Sequence, residues 1–241
     1  MKKPYLKKLK EIYGIKVFLV DGKYIRTHIE EEFTNYAQHY RFKFVPKDEF
    51  WIDRGASAKE QEFYILHMIV EYFLMSNGMS FHNALMKANS VEKKERLKYH
   101  YINDLKEKSH SQIVDKVHAK LLKKYSKKIQ VWIVRGELVR DLFYIDFTEG
   151  GHHFVYDFVP TNEIWLDDNL TSSEIKYVLL HELYERNLMI TKKMSYNVAH
   201  DHASLIEYFC RNHQNRLDEY LKKELKKAEE LIKRIPKKGF W

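Results

Sequence analysis

The chain has 241 residues, 42 lysines and arginines against 34 acidic residues, a formal net charge of +8, and 44% hydrophobic and 15% aromatic content. That apolar content excludes an intrinsically disordered protein, and eight glycines with four prolines are too few for the turns of a many-stranded β-sandwich. A single cysteine, Cys210, excludes an internal disulfide, fits a reducing compartment and reads as a small buried residue. No apolar leader follows the basic N-terminus and no apolar run approaches the length of a membrane span, so the expectation is a soluble, cytoplasmic protein with no membrane contact.

The charge is unevenly placed. Residues 1–16 carry +5, 93–128 carry +8 and 215–241 carry +4, while 17–92 and 129–214 together carry −9. The three basic segments read as amphipathic helices with lysine-rich outer faces. They are a short leading helix, a helical pair over 93–128 broken near 109–111, and a C-terminal helix. In the pair, Ile113, Val117, Leu121 and Tyr125 form one stripe; in the last helix Leu217, Leu221, Leu225, Ala228 and Ile232 do.

In chain order, the first acidic block opens on "VFLV" (17–20), a β-branched and aromatic run ended by a glycine turn. "FKFVPKDEFWID" (42–53) alternates as a half-buried strand interrupted by proline. "SAKE" (57–60) is a capping box before an apolar helix, and a second helix is expected over 80–92. The second block repeats the series with "VWIV" (131–134), "FVYDFVPTNEIWLDD" (154–168), the capping box "TSSE" (171–174), and a helix over 195–211. At an offset of 114, "FVPKDEFWID" lies on "FVPTNEIWLD" and "ILHMIVEYFLM" on "LLHELYERNLM". After one inserted residue "MSFHNALMKANSVE" lies on "MSYNVAHDHASLIE", for 24 identities in all. The expected fold is α+β: tandem duplicated β-β-β-α-α modules packed with pseudo-twofold symmetry as an internal pseudo-dimer within a monomer, plus amphipathic flanking helices. The expected divisions are 1–92, a basic helical linker 93–128, 129–211 and a basic helix 212–241. Trp51 and Trp165 are expected as core anchors beneath the helices.

"HELYER" (181–186) begins like the zinc-peptidase signature H-E-x-x-H but has Glu185 where that signature has its second histidine. His181 and Glu185 share a helix face, Glu182 is turned about 100° from it, and His200 and Glu207 share a face of the next helix. If the helices are antiparallel neighbours these faces meet. Two imidazoles and one or two carboxylates suit Zn²⁺, or Mn²⁺ or Fe²⁺ where oxygen ligands dominate. His181, Glu185 and His200 are then ligands, and Glu207 is either a fourth ligand or the group orienting His200. Glu182 is the general base. His152 or His153 would complete the site or polarise substrate, and Arg186 would pair with a carboxylate or hold an anionic substrate group. The first block keeps His39, His67, Glu71 and Glu92, but Gln38, Met68 and Leu85 stand where the second has His152, Glu182 and His200, and Tyr36-Ala37 replaces Gly150-Gly151. It reads as a degenerate copy. A buried, satisfied His–Glu hydrogen bond would account for the pair that both blocks retain.

Two function classes follow. One is a metal-dependent, peptidase-like hydrolase with a single His/Glu site in the second copy. The alternative is a non-catalytic binding or adaptor protein whose lysine-rich helices contact nucleic acid or an acidic protein partner, although no recognition-helix or aromatic-interleaved strand signature is present.

The stretches "VWIVRGELVRD", "IDFTEGGHHFVYDFVPTNEIWLDD", "LLHELYER" and "YNVAHDHASLIE" resemble a family of small bacterial and phage proteins with no established activity. The likeness covers about 80 residues of the second copy closely and the first copy loosely, and it implies a shared fold. The chain is only weakly similar to H-E-x-x-H zinc peptidases, through His181 and Glu182; Glu185 departs from their pattern.

Overall fold

The computed structural model describes residues 3–99 and 110–234. Among them are eight α-helices and two small four-stranded mixed sheets, an α+β architecture. The chain divides into two compact units, Met1–Asn103 with Arg140–Asp146, and Asp104–Val139 with Phe147–Trp241.

In the first unit, β1 (Tyr5–Ile12) and β2 (Ile15–Val20) form an antiparallel hairpin. Tyr13 and Gly14 both have positive φ, 51° and 77°, as a two-residue turn that follows the strand twist requires. The leading basic segment is therefore a strand and not the expected helix. Its exposed Lys7 and Lys8 are what a sheet edge carries to discourage pairing with another chain. After α1 (Gly22–His28) come β3 (Tyr36–Gln38) and β4 (Glu49–Asp53), giving the order β1-β2-β4-β3 with β2 and β4 parallel. Of the strand expected over 42–53, only 49–53 forms. Central β4 is covered on both faces, with Phe50, Trp51 and Ile52 at 0–3% exposure, so the expected half-buried alternation does not hold. Phe50 and Ile52 pack with Tyr64, Ile65 and Met68 of α2 (Ala58–Ser76), whereas Trp51 packs with Ile25 of α1 and Phe33 in a separate cluster, away from α2. Half of the capping box is formed: the Ser57 hydroxyl accepts from the Glu60 amide at 3.3 Å, while the Glu60 carboxylate goes to Arg96 and Arg140. The second helix, α3 (Phe81–Tyr99), runs seven residues past the expected boundary at 92.

The second unit contains α4 (His110–Val117), β5 (His118–Leu121), β6 (Gln130–Val134), β7 (Gly150–His152) and β8 (Glu163–Asp167). The sheet order is β5-β6-β8-β7, again with the two middle strands parallel. The segment 93–128 is therefore not helical throughout. Its supposed stripe breaks after Val117, and the next four residues become the edge strand pairing with β6. α5 (Gly136–Leu142) contributes residues to both units.

Three longer helices follow, α6 (Ile175–Lys192), α7 (Tyr196–Asn212) and α8 (Gln214–Leu231). The second capping box does not form. Glu174 itself occupies the N-cap position with no side-chain cap bond, and its carboxylate is drawn to Arg211 Nη1 at 2.8 Å. α8 behaves as its stripe indicates, burying Leu217, Leu221 and Ala228 in a core with Leu179, Leu180, Leu183 and Cys210. No helix of the described residues is long and apolar enough to cross a membrane.

Candidate metal centre

α6 and α7 are joined by a three-residue loop, and the buried alanines Ala199 and Ala203 on α7 allow close packing. His181 and Glu185 lie one turn apart on α6, and their polar atoms converge with those of His200 on α7. His181 Nε2 is 3.1 Å from His200 Nδ1, His200 Nδ1 is 3.0 Å from Glu185 Oε2, and His181 Nε2 is 3.7 Å from that same oxygen. Metal–ligand bonds of about 2.05 Å in tetrahedral geometry require ligand atoms about 3.3 Å apart. The three atoms therefore form one face of such a tetrahedron. They also make a poor hydrogen-bond network, because His200 Nδ1 has a single in-plane position to satisfy two neighbours.

Outer contacts fix this set. His181 Nδ1 lies 3.0 Å from Glu207 Oε2, and the other oxygen of Glu207 accepts from Arg211 Nε and Nη2 at 2.9 and 2.6 Å. Arg211, Glu207 and His181 thus form a chain, the usual way a carboxylate orients a ligating histidine. On the His181 ring, burial opposes charge, but Glu185 and Glu207 outweigh it and raise the pKa well above the usual range, so an ion would take the place of the Nε2 proton. Burial opposes ionisation of Glu207, but Arg211 and His181 outweigh it and hold the carboxyl down at about 2. On the strand side, His152 Nε2 approaches Glu185 Oε1 at 2.8 Å without hydrogen-bond alignment. Its Nδ1 accepts from the Phe154 amide at 3.2 Å, which places the ring proton on Nε2 facing the carboxylate. His152 therefore positions Glu185, and burial keeps its imidazole neutral by lowering its pKa.

The carboxyls of Glu182 and Glu185 titrate in opposite directions. Burial, then the charge of Glu185, raises Glu182. Burial also acts on Glu185, but His152, His181 and His200 overcome it and keep Glu185 ionised. Two carboxyls in one site with divergent proton affinities are the arrangement acid–base chemistry uses. Gly150 makes room for the raised one: a Cβ there would sit 3.0 Å from Glu182 Oε1 and 3.0 Å from the Trp165 carbonyl. The His200 side chain is 30% exposed and forms the solvent side of the cluster, with Glu185 at 2% behind it.

The aligned residues of the first unit are closed. His67 Nε2 contacts Glu71 Oε2 at 3.0 Å and Nδ1 contacts Glu92 Oε2 at 2.9 Å. Both ring nitrogens hold carboxylates, so no lone pair is left for an ion. Gln38, aligned with His152, donates to Glu71 Oε1 at 2.7 Å, so a strand residue lies against this glutamate in both units. Burial opposes the charge on His67, but its bonds to Glu71 and Glu92 push its pKa up to about 9. A folded-state value above the unfolded one stabilises fully below about pH 6.5, and that contribution disappears as pH rises through about 9. The urea stability difference between wild type and His67→Gln should therefore shrink by roughly 3 kcal/mol between pH 6 and pH 10. A constant difference across that range would show that His67 is not held as an imidazolium.

Not every expected site residue joins the cluster. Glu207 orients His181 rather than His200, and both its oxygens are taken, so it is not a fourth ligand. His153 lies against Phe154, the rings tilted at 41° with centroids 4.0 Å apart, and belongs neither to the His181–Glu185–His200 group nor to the second group of converging ligand atoms, His152, Glu182 and Glu185. Arg186 is fully buried and donates from Nη2 to the Thr161 carbonyl at 3.2 Å. The aligned Tyr72 donates to the aligned Lys47 carbonyl at 2.8 Å, so the position serves as a strut in both units.

No family model, curated protein or solved structure matches the chain. The centre is thus read from its own geometry. One participant escaped the sequence reading, Arg211, although Arg96 and Arg211 continue the alignment four residues beyond Glu92 and Glu207. Each arginine binds the corresponding glutamate, Arg96 Nε to Glu92 at 2.8 Å and Arg211 Nε to Glu207 at 2.9 Å.

Proposed function

We propose that the chain is a tandem duplication in which only the second copy keeps a working metal centre, and that this centre makes the protein a metal-dependent hydrolase. One contrast carries the reading. The histidine–glutamate contact that measures 3.0 Å in the first unit is opened to 3.7 Å in the second, where His200 occupies the position of Leu85 and brings a nitrogen to both partners. The matching sheet orders and the matching Arg96–Glu60 and Arg211–Glu174 pairs support the duplication.

Two histidines and one glutamate, on one face of an ion, make a catalytic rather than a structural donor set, because positions remain for water and substrate. Zinc fits the separations; manganese or iron would use the same three atoms with added oxygen ligands. The ion would supply a water acidic enough to attack near neutral pH. Burial and the charge of Glu185 raise the Glu182 pKa to about 8, so without an ion it holds a proton. With an ion's charge beside it, it would be a carboxylate able to take the proton of that water and return it to the leaving group. Glu207 and His152 act as positioning residues, each holding one ligand in orientation.

Chelation followed by refilling should restore one equivalent of zinc per chain, read by elemental mass spectrometry, together with hydrolysis of p-nitrophenyl acetate. Glu182→Gln should retain the zinc and lose about 10²–10⁴-fold in kcat, the usual contribution of a general base. Failure to bind metal stoichiometrically removes the centre; a Glu182→Gln variant as active as wild type removes the mechanism.

A further inference from the structure

The second unit contains a cavity of about 790 Å³ between α8 and the turn that includes Lys124 and Lys128, within the range of ligand-binding sites. Its lining along α8 runs from Asp218 to Glu229, about 16 Å at the helical rise per residue. Leu225 and Tyr125, both half-buried, supply apolar surface over the buried Leu221. Lys124, Lys127 and Lys128 stand on one wall, Lys222 and Lys226 on the other, all exposed. Both acids of the lining are engaged elsewhere. Asp218 binds Lys176 at 2.7 Å, and the Glu229 carboxylate accepts the amides of Lys128 and Ile129 at 3.0 and 2.9 Å. Among the described residues no carboxylate lies within ion-pair distance of any of the five lysines.

From this juxtaposition, an apolar trough bordered on both sides by lysines without counter-ions, we infer that the groove is a docking site for an acidic peptide segment of a partner protein. The segment carries apolar side chains that seat on Leu225 and Tyr125, flanked by carboxylates that meet the two lysine walls. Charge complementarity selects an anionic partner. The apolar floor selects peptide over nucleic acid, because a phosphodiester backbone offers nothing apolar to cover Leu225 and the lysine stems beside it. A single strand needs a succession of aromatic platforms, and the groove has only Tyr125, with Lys124 already over its ring at 5.4 Å. Lysine stems add to the apolar walls while their ammonium groups stay in water.

The test uses the full chain in EDTA, so the metal centre and its hydrolytic reading play no part in the outcome. The probe is a fluorescein-labelled peptide of roughly fifteen residues, long enough to span the groove, made of glutamates with a leucine at every fourth position. Two further probes are its leucine-to-serine counterpart and a deoxythymidine strand of equal length. Fluorescence anisotropy should show saturable binding of the leucine peptide, weakened at least tenfold in the Lys222→Gln/Lys226→Gln double variant. Replacing leucine by serine in the peptide should cost a similar factor. Both lysines are exposed, so an unchanged melting temperature confirms that the double variant is folded. No binding, equal binding of the serine peptide, tighter binding of the deoxythymidine strand, or a double variant as competent as wild type would each overturn the assignment.

Discussion

Replacing His200 by leucine is expected to lower zinc affinity by more than 100-fold while leaving the metal-free protein as stable as wild type. Removal of an outer partner such as Glu207 typically costs 10- to 100-fold, and His200 supplies one of three direct ligands, so the larger loss belongs to it. The fold should tolerate the change because Leu85 occupies the aligned, similarly half-buried position in the first unit. Without His200, the His181–Glu185 separation should contract from 3.7 Å toward the 3.0 Å of His67–Glu71. The affinity is measured by competition with a chromogenic chelator. Thermal melts add an independent readout: free zinc at 100 times Kd should stabilise wild type by about 2.7 kcal/mol and leave the variant unmoved. Equal zinc affinity in the two proteins would show that the three atoms are a hydrogen-bond cluster and nothing more. The measurement also separates zinc binding from catalysis, because it needs no substrate.

Arg96→Ala should be the most damaging single change to stability in the first unit, at about 3–5 kcal/mol in urea unfolding. Arg96 is 0% exposed. It donates to both oxygens of Glu60 at 2.6 and 3.2 Å and to Glu92 at 2.8 Å, lies 3.4 Å from Asp141, and stacks over the Phe63 ring at 4.2 Å. Truncation leaves three buried carboxylates, Glu60, Glu92 and Asp141, short of a partner, and the penalty of that uncompensated charge exceeds the net worth of the intact bonds. Arg140 Nε remains on Glu60 at 2.6 Å and His67 on Glu92, which caps the loss near the lower part of the range. Lysine cannot rescue it, since one ammonium cannot reproduce a planar fork spanning two carboxylates. A loss under about 1 kcal/mol would mean that the network relaxes or admits water.

The two arginine–glutamate systems differ in how their chains of contacts end. In the first, Arg96, Glu92, His67, Glu71 and Gln38 form a chain of short contacts in which each glutamate is satisfied from both sides. In the second, Arg211, Glu207 and His181 repeat the first links. There the chain then opens onto His200, and Glu182 stands beside it with a raised proton affinity where the first unit has buried Met68. A hydrophobic residue in place of a buried carboxyl is the cheaper choice for a core. Its absence from the second unit is what the hydrolase reading explains.

Much of the candidate centre was legible from residue spacing. His181 and Glu185, four apart, had to share a face of any helix, and the short loop after α6 placed α7 alongside. The stripe of Leu217, Leu221 and Ala228 located α8 and its buried face because a period of 3.6 residues survives even in a lysine-rich segment. Other elements were hidden by the same lysines. β1 and β5 are edge strands whose charged residues mimic the polar face of a helix, and only the unpaired hydrogen-bonding edges of β2 and β6 decide that these segments extend. Glu174 was miscast as part of a capping box because its partner, Arg211, lies 37 positions along the chain and no local pattern reports it.

The amino-acid sequence by itself determined which residues can act together within one helix, and that two stretches of the chain share a pattern in which His200 and Glu182 are the polar additions. Only the tertiary structure decided that Glu207 meets His181 instead of His200, that His152 lies against Glu185 while His153 turns to Phe154, and that Arg186 is a strut. Spacing fixes angles around a single helix axis. The contacts between helices and strands depend on their mutual rotation and approach, which the packing of side chains such as Ala199, Ala203 and Gly150 sets and no periodicity encodes.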